Sequence, residues 1–186
     1  NATILKRRFV EFPFINKVFY LIEMPKVPIK PVKINTDSKY KNPVAIIADY
    51  GHGLIEEKEA ENIANAYEFK AATIQSNSLN WGFNNATKWP PGSLSYLVID
   101  ETELRLACQD RTGNLISLVN QFAIEQIIPL LIVTRGHAGC IVRSSDKGTF
   151  DVPSLASRVV DRMGAGDAFL AYSAPLAFLG APADIV

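Results

Sequence analysis

The chain has little of what metal centres and disulfide frameworks are built from. Its 186 residues include two cysteines and two histidines. Cys108 and Cys140 lie far apart, with neither metal-ligand spacing nor a disulfide pattern, so a reducing compartment, the cytoplasm, is expected. His52 and His137 are isolated and suggest no metal pair. Neither sign of charge is in excess. Lysines plus arginines number 19, and aspartates plus glutamates also number 19. A nucleic-acid or membrane partner recruited by bulk charge is therefore not indicated. No apolar run reaches the roughly 20 residues of a membrane span, and Asn1 to Arg8 carry no apolar signal stretch. The first residue is not methionine, which suggests a processed product or a fragment. Asn1-Ala2-Thr3 and Asn85-Ala86-Thr87 fit the glycosylation triplet and read as chance. What remains is 48% apolar and 20% charged, ordinary for one globular domain with a real core.

The first forty residues differ from the rest. Ile4 to Val10 and Lys17 to Glu23 read as strands of a hairpin or sheet edge. Pro25, Pro28 and Pro31 then deny ladder hydrogen bonds and predict an extended connection. From Pro43 onward strands alternate with helices. Val44 to Ala48, ending in Asp49, reads as a buried parallel strand, and Ile55 to Phe69 as a helix. Strands follow at Ala71 to Ile74, Leu94 to Ile99, Pro129 to Thr134 and Gly139 to Arg143, with Ser145 to Gly148 as a hairpin turn. Glu101 to Cys108 and Gly113 to Ile127 read as helices. Gly164 to Gly180 reads as a helix interrupted near Pro175. This order predicts an α/β fold, a mostly parallel sheet covered on both faces. Ligands of such sheets bind at the carboxyl ends of the strands, where Asp49, Asp100, Thr134 and Asp161 are expected.

The most informative stretch is Asp161-Arg162-Met163-Gly164-Ala165-Gly166-Asp167, followed by the apolar Ala168-Phe169-Leu170-Ala171. Small residues at a loop-to-helix junction let backbone amides converge, and the helix N-terminus adds partial positive charge. Such a site suits a phosphate. Two readings of Asp167 stand. It is a base taking a proton from a hydroxyl while Gly164, Ala165 and Gly166 amides stabilise the phosphoryl group, or it is a helix cap.

Asp161 to Asp167 resembles the D-T-x-G-A-G-D signature of the PfkB, or ribokinase-like, carbohydrate kinases, with Arg162 where the family usually has threonine. The resemblance implies a ribokinase-like three-layer sandwich with a partial N-terminal β lid. It implies that Asp167 is the catalytic base and that ATP and Mg2+ are the cofactors. Thr134-Arg135-Gly136-His137-Ala138-Gly139 is explained by a tight turn, but it also matches the family's T-x-G-x-x-G nucleotide loop. On that resemblance Thr134, Gly136, Gly139 and Asp161 are expected to bind nucleotide. Asp100-Glu101-Thr102-Glu103 reads as a reciprocal helix cap. It also aligns with the family's N-x-x-E motif, with Asp100 in place of asparagine, so Glu103 and Asp100 are expected near magnesium.

Asp49-Tyr50-Gly51-His52-Gly53 is a glycine-bounded turn similar to the D-Y-G-K-G turn of the heptose-phosphate kinase branch. With the Lys6-Arg7-Arg8 cluster it suggests Asp49, Lys6 and Arg8 as substrate contacts, and a heptose 7-phosphate type acceptor. The cluster reads equally as a charged edge strand. Gln75 to Asn84 is rich in amides, either satisfying its own backbone or reading sugar or nucleotide groups. It is similar to PfkB domains related to, or fused with, nucleotidyltransferases. The family's G-G-x-x-x-N stretch is not found, and the sequence reads as an internal piece, a proteolysed product or a natural truncation. The expected function is ATP-dependent phosphorylation of a sugar or sugar-phosphate hydroxyl, with a homodimer through the lid in the full-length parent. The rivals are a non-catalytic nucleotide- or sugar-binding module and a nucleoside kinase of the same family.

Overall fold

The computed structural model describes residues 4–11, 16–27, 29–33, 44–76, 80, 82–156 and 163–186. Strands β1 (Leu5–Glu11) and β2 (Asn16–Glu23) form an antiparallel two-stranded sheet of their own. Pairing of Phe9 with Phe19 and of Arg7 with Leu21 puts Leu5, Arg7, Phe9, Phe19, Leu21 and Glu23 on one face. Lys6, Arg8, Tyr20 and Ile22 occupy the other. An extended connection follows, and the Val32 amide donates to the carbonyl of Leu54 at 2.8 Å, tying it to the main body.

The main sheet has six strands in sequential order: β3 (Val44–Asp49), β4 (Phe69–Ile74), β5 (Tyr96–Asp100), β6 (Leu130–Thr134), β7 (Cys140–Ser144) and β8 (Gly148–Val152). The first four are mutually parallel, and β7 and β8 are antiparallel additions. Strands laid down in order, with crossovers of one hand, send every crossover to the same face. That face carries α1 (Glu57–Ala66), α2 (Glu101–Cys108) and α3 (Leu115–Glu125), whose Ala60, Ile63, Leu104, Val119 and Phe122 pack with Ile47, Leu97 and Leu131. The opposite face is left to α4 (Ala165–Phe178), whose Leu170 and Ala174 pack on Ala71, Tyr96 and Ile132. The buried Tyr96 hydroxyl and Ser173 Oγ are 2.7 Å apart, and Ser173 Oγ donates to Phe169 O at 2.7 Å. Asp167, Leu170 and Ala174 share one helical face. Docking that face on the sheet therefore aims Asp167 at the carboxyl ends of the strands.

Two expectations are corrected. The helix expected to run to Phe69 ends at Ala66, because Phe69 begins β4 and packs edge-on against Phe178 at 5.6 Å. The helix expected to break near Pro175 is continuous. Pro175 and Ala171, four residues earlier, both lie on the exposed side. The carbonyl freed by proline can therefore turn to water while the inner face stays docked.

Candidate active site

The parallel strands bring Asp49, Ile74, Asp100 and Thr134, their last residues, to one edge of the sheet. The two residues after β4 join the expected groups. Gln75 Nε2 donates to Asp167 Oδ1 at 3.4 Å, and the amide of the next residue, Ser76, donates to Glu103 Oε1 at 3.1 Å. The base candidate and the metal candidate thus meet across one dipeptide. Burial, and then Asp167, raise the pKa of Tyr50, which directly follows β3. Sequence reasoning missed Gln75 as an individual contributor. Its signal was position, since it immediately follows a parallel strand.

Asp167 lies in the first turn of α4, after Gly164 in a left-handed conformation (φ 77°) that opens the helix. A Cβ added at Gly164 or Gly166 would meet nothing within 4 Å. The space before the α4 amides is open, which suits an approaching phosphate. Asp161 lies outside the described residues.

The Asp100–Glu103 capping box forms as expected. Glu103 N donates to Asp100 Oδ1 and Asp100 N donates to Glu103 Oε2, each at 2.8 Å. Burial, and then the charge of Asp100, push the Glu103 carboxyl up from 4.5 to about 7. The native state therefore holds this proton more tightly than the unfolded chain. The stability it contributes is full below pH 4.5 and is lost as pH rises through about 7. At 1.36 kcal/mol per unit the change is about 3 kcal/mol. Urea denaturation from roughly pH 5 to pH 8 is expected to show wild-type stability falling relative to Glu103→Gln, and parallel pH profiles would exclude the shift. Two carboxylates of this kind favour a dication, and each already accepts a backbone amide. Among the described residues no group of three or more His, Cys, Asp and Glu could hold a metal. The donors fit a hydrated magnesium ion held through water rather than a protein cage.

The loop after β6 is a tight turn, as its bland reading expected. Arg135 N donates to Gly139 O at 2.8 Å, and Arg135 pairs with Asp151. Gly139 is required by space as well as by its φ of +81°, because a Cβ would lie 2.0 Å from Val152 O. Gly136 faces open space, so a nucleotide can approach there, beside half-buried Thr134.

Asp49, expected as a substrate contact, lies in the interior. It is 3% exposed and forms an ion pair with Lys88. Its Oδ1 accepts from Gly51 N at 3.1 Å. Lys88 Nζ also donates to Ile55 O at 2.8 Å and Asn84 Oδ1 at 2.6 Å. The amide-rich stretch works inward in the same way. Asn84 Nδ2 donates to Asp49 O and Gln75 O, and Asn80 Nδ2 to Gln75 O and Tyr50 O. Residues 77–79 and 81 lie outside the described set. On the hairpin, Lys6 Nζ sits 5.2 Å from the Tyr20 ring centre. Burial, and then the Lys6 charge, hold the His52 pKa below its usual value. Arg8 is exposed on the same face as Lys6.

Residues 55–173, well over half of the chain, match the model of the pfkB family carbohydrate kinases. The chain belongs to the pfkB family. A comparison with curated proteins finds no match. Among solved structures this pfkB chain is similar to adenosine kinase from Sinorhizobium meliloti. The identity is 18% over 99% of this chain and 57% of that one, with a TM-score of 0.72. It is similar to ribokinase from Thermotoga maritima, at 16% identity over 76% and 45% of the two chains, TM-score 0.59. It is also similar to fructokinase from Vibrio cholerae O395 bound to fructose, ADP and calcium, at 14% identity over 86% and 54%, TM-score 0.60. These likenesses establish the ribokinase fold. The chain spans about half the length of the solved structures it matches. Among the described residues no helix is long and apolar enough to cross a membrane.

Proposed function

We propose that the protein transfers the γ-phosphoryl group of ATP to a hydroxyl of a sugar or sugar phosphate. The observation that carries this reading is the Gln75-Ser76 junction, which links Asp167 to Glu103. Asp167 takes the acceptor's proton. The amides of Gly164, Ala165 and Gly166 face the transferring group. Thr134, Gly136, Gly139 and Asp161 hold the nucleotide. Magnesium, held through water by Glu103 and Asp100, would neutralise phosphate charge when bound. Lys6 and Arg8 on the hairpin favour an acceptor that already carries a phosphate, of the heptose 7-phosphate type. The compartment is read as the cytoplasm, in keeping with free Cys108 and Cys140.

A nucleoside acceptor is the second reading. It is favoured by the Tyr50–His52 ring pair, 6.0 Å between centroids, on which a base could stack. Phosphotransfer from MgATP to ribose, fructose, a heptose 7-phosphate and adenosine separates the two. Turnover on the phosphosugar that falls in Lys6→Ala supports the first reading, and turnover on adenosine alone supports the second. Nucleotide binding with no transfer to any acceptor would leave a binding module.

We also propose that the hairpin pairs two copies. Phe9 and Phe19 stack at 4.3 Å, yet are 44% and 55% exposed, and Leu5 and Leu21 extend the patch. Phe19→Glu is expected to convert a dimer to a monomer by light scattering, and an unchanged mass would remove this role.

A further inference from the structure

We propose that Gln75 is a positioning residue for Asp167: its side-chain amide draws the carboxylate away from the free amides of α4 and toward the strand ends, so that it serves as a base and not as a helix cap. The proposal rests on the reading of Asp167 as base. Asp167 is the third residue of α4. A carboxylate at that position can fold back on the unpaired amides that open its own helix. That would satisfy the helix and leave the acceptor hydroxyl facing an occupied base. Gln75 pulls from the end of β4, where its Nε2 donates to Asp167 Oδ1 at 3.4 Å. The bond joins segments 92 residues apart in the chain.

Gln75 can orient its partner because its backbone is fixed without help from its side chain. Gln75 N donates to Asp49 O at 2.8 Å. Gln75 O accepts from Asn80 Nδ2 at 2.9 Å and from Asn84 Nδ2 at 3.1 Å. Asn84 is held in turn by Lys88 Nζ, 2.6 Å from its Oδ1. The next residue is bound as well, Ser76 N to Glu103 Oε1 at 3.1 Å and Ser76 Oγ to Asn84 O at 3.0 Å. These bonds use only main-chain atoms of Gln75 and leave its side-chain amide to Asp167. Both side chains belong to half-buried residues, where a hydrogen bond to a charged oxygen is strong. A carboxylate has about four acceptor directions. Gln75 fills one on Oδ1, and the others can meet a hydroxyl arriving through the open space before Gly164 and Gly166. A neutral amide also orients a carboxylate with less loss of basicity than a cation at the same place would cause.

The test is a double-mutant cycle with a spectroscopic partner, run with MgATP and the acceptors ribose, fructose, a heptose 7-phosphate and adenosine. Gln75→Met keeps the volume and removes the donor. It is expected to lower kcat about 10- to 100-fold, with KM for ATP little changed. Gln75→Glu keeps the shape but sets a second carboxylate against Asp167, and should cost more than Gln75→Met. In the Asp167→Asn background both changes should cost almost nothing, because the base they disturb is already gone. Equal losses in the two backgrounds would make Gln75 a packing residue and overturn the proposal, while leaving the base reading intact. Near-normal turnover of Asp167→Asn would remove the base reading, and the positioning role with it. The contact is tested without turnover in the 1H–15N spectrum of the whole chain, with the Gln75 side-chain amide pair assigned by its loss in Gln75→Met. Asp167→Asn should move that pair and leave those of Gln109, Gln121 and Gln126 in place. An unmoved Gln75 pair would show that the two side chains do not meet in solution and would overturn the proposal.

Discussion

Replacing Asp167 by asparagine is expected to lower phosphoryl transfer by about 10²–10⁴-fold while nucleotide affinity changes little. Asparagine keeps the volume and one acceptor oxygen, so the Gln75 contact and the helix start can persist. What it loses is the ability to take a proton. The acceptor hydroxyl must then lose its proton to water or phosphate while bond formation proceeds, and the general-base contribution disappears. In the proposed reading nucleotide binding depends on other groups, the amides of Gly164 to Gly166 and the loop from Thr134 to Gly139, and these are untouched. Removing a negative charge beside a phosphate site can even tighten it. The check is steady-state turnover together with calorimetric titration of ADP. A variant with near-normal turnover would reduce Asp167 to a helix cap, and a variant that loses ADP affinity in step with turnover would make it a binding residue.

Much of this arrangement was legible because its causes are local. Apolar runs that end on an acid predicted strands finishing at Asp49 and Asp100, and the structure ends both strands there. The Asp100–Glu103 box closes within one turn of one helix, so spacing alone predicts it. The Gly164 turn into α4 is likewise written in adjacent residues. What the sequence concealed lies between distant segments. Asp49 resembled a substrate ligand because an acid at a strand end usually faces a ligand, but Lys88, thirty-nine residues away, claims it. Gln75 meets Asp167 only because α4 crosses the face of the sheet at the end of β4. Pro175 misled for a different reason. Local propensity predicts a break, whereas burial of Leu170, Ser173 and Ala174 holds both halves of the helix to the sheet.

The concealed pair carries the largest expected effect on stability. Lys88→Met is expected to destabilise the fold by about 3–5 kcal/mol, a large part of the roughly 5–15 kcal/mol that holds a typical domain. The cause is what remains behind. Asp49 is 3% exposed, and without the ammonium its carboxylate is left buried with, among the described residues, only the Gly51 amide as a hydrogen-bond partner. Ile55 O and Asn84 Oδ1 lose their donor at the same time. The double change Asp49→Asn with Lys88→Met removes the stranded charge, and more than half of the loss should return. Urea denaturation of the three variants decides it. A cost under about 1 kcal/mol for Lys88→Met would mean that water reaches Asp49, as in an exposed pair. The effect should also reach the chemistry. Lys88 holds Asn84, Asn84 donates to Gln75 O and Gln75 meets Asp167, so Lys88→Met should slow transfer even where the protein is still folded. Asp49→Asn with Lys88→Met should recover rate together with stability, because one network is responsible for both.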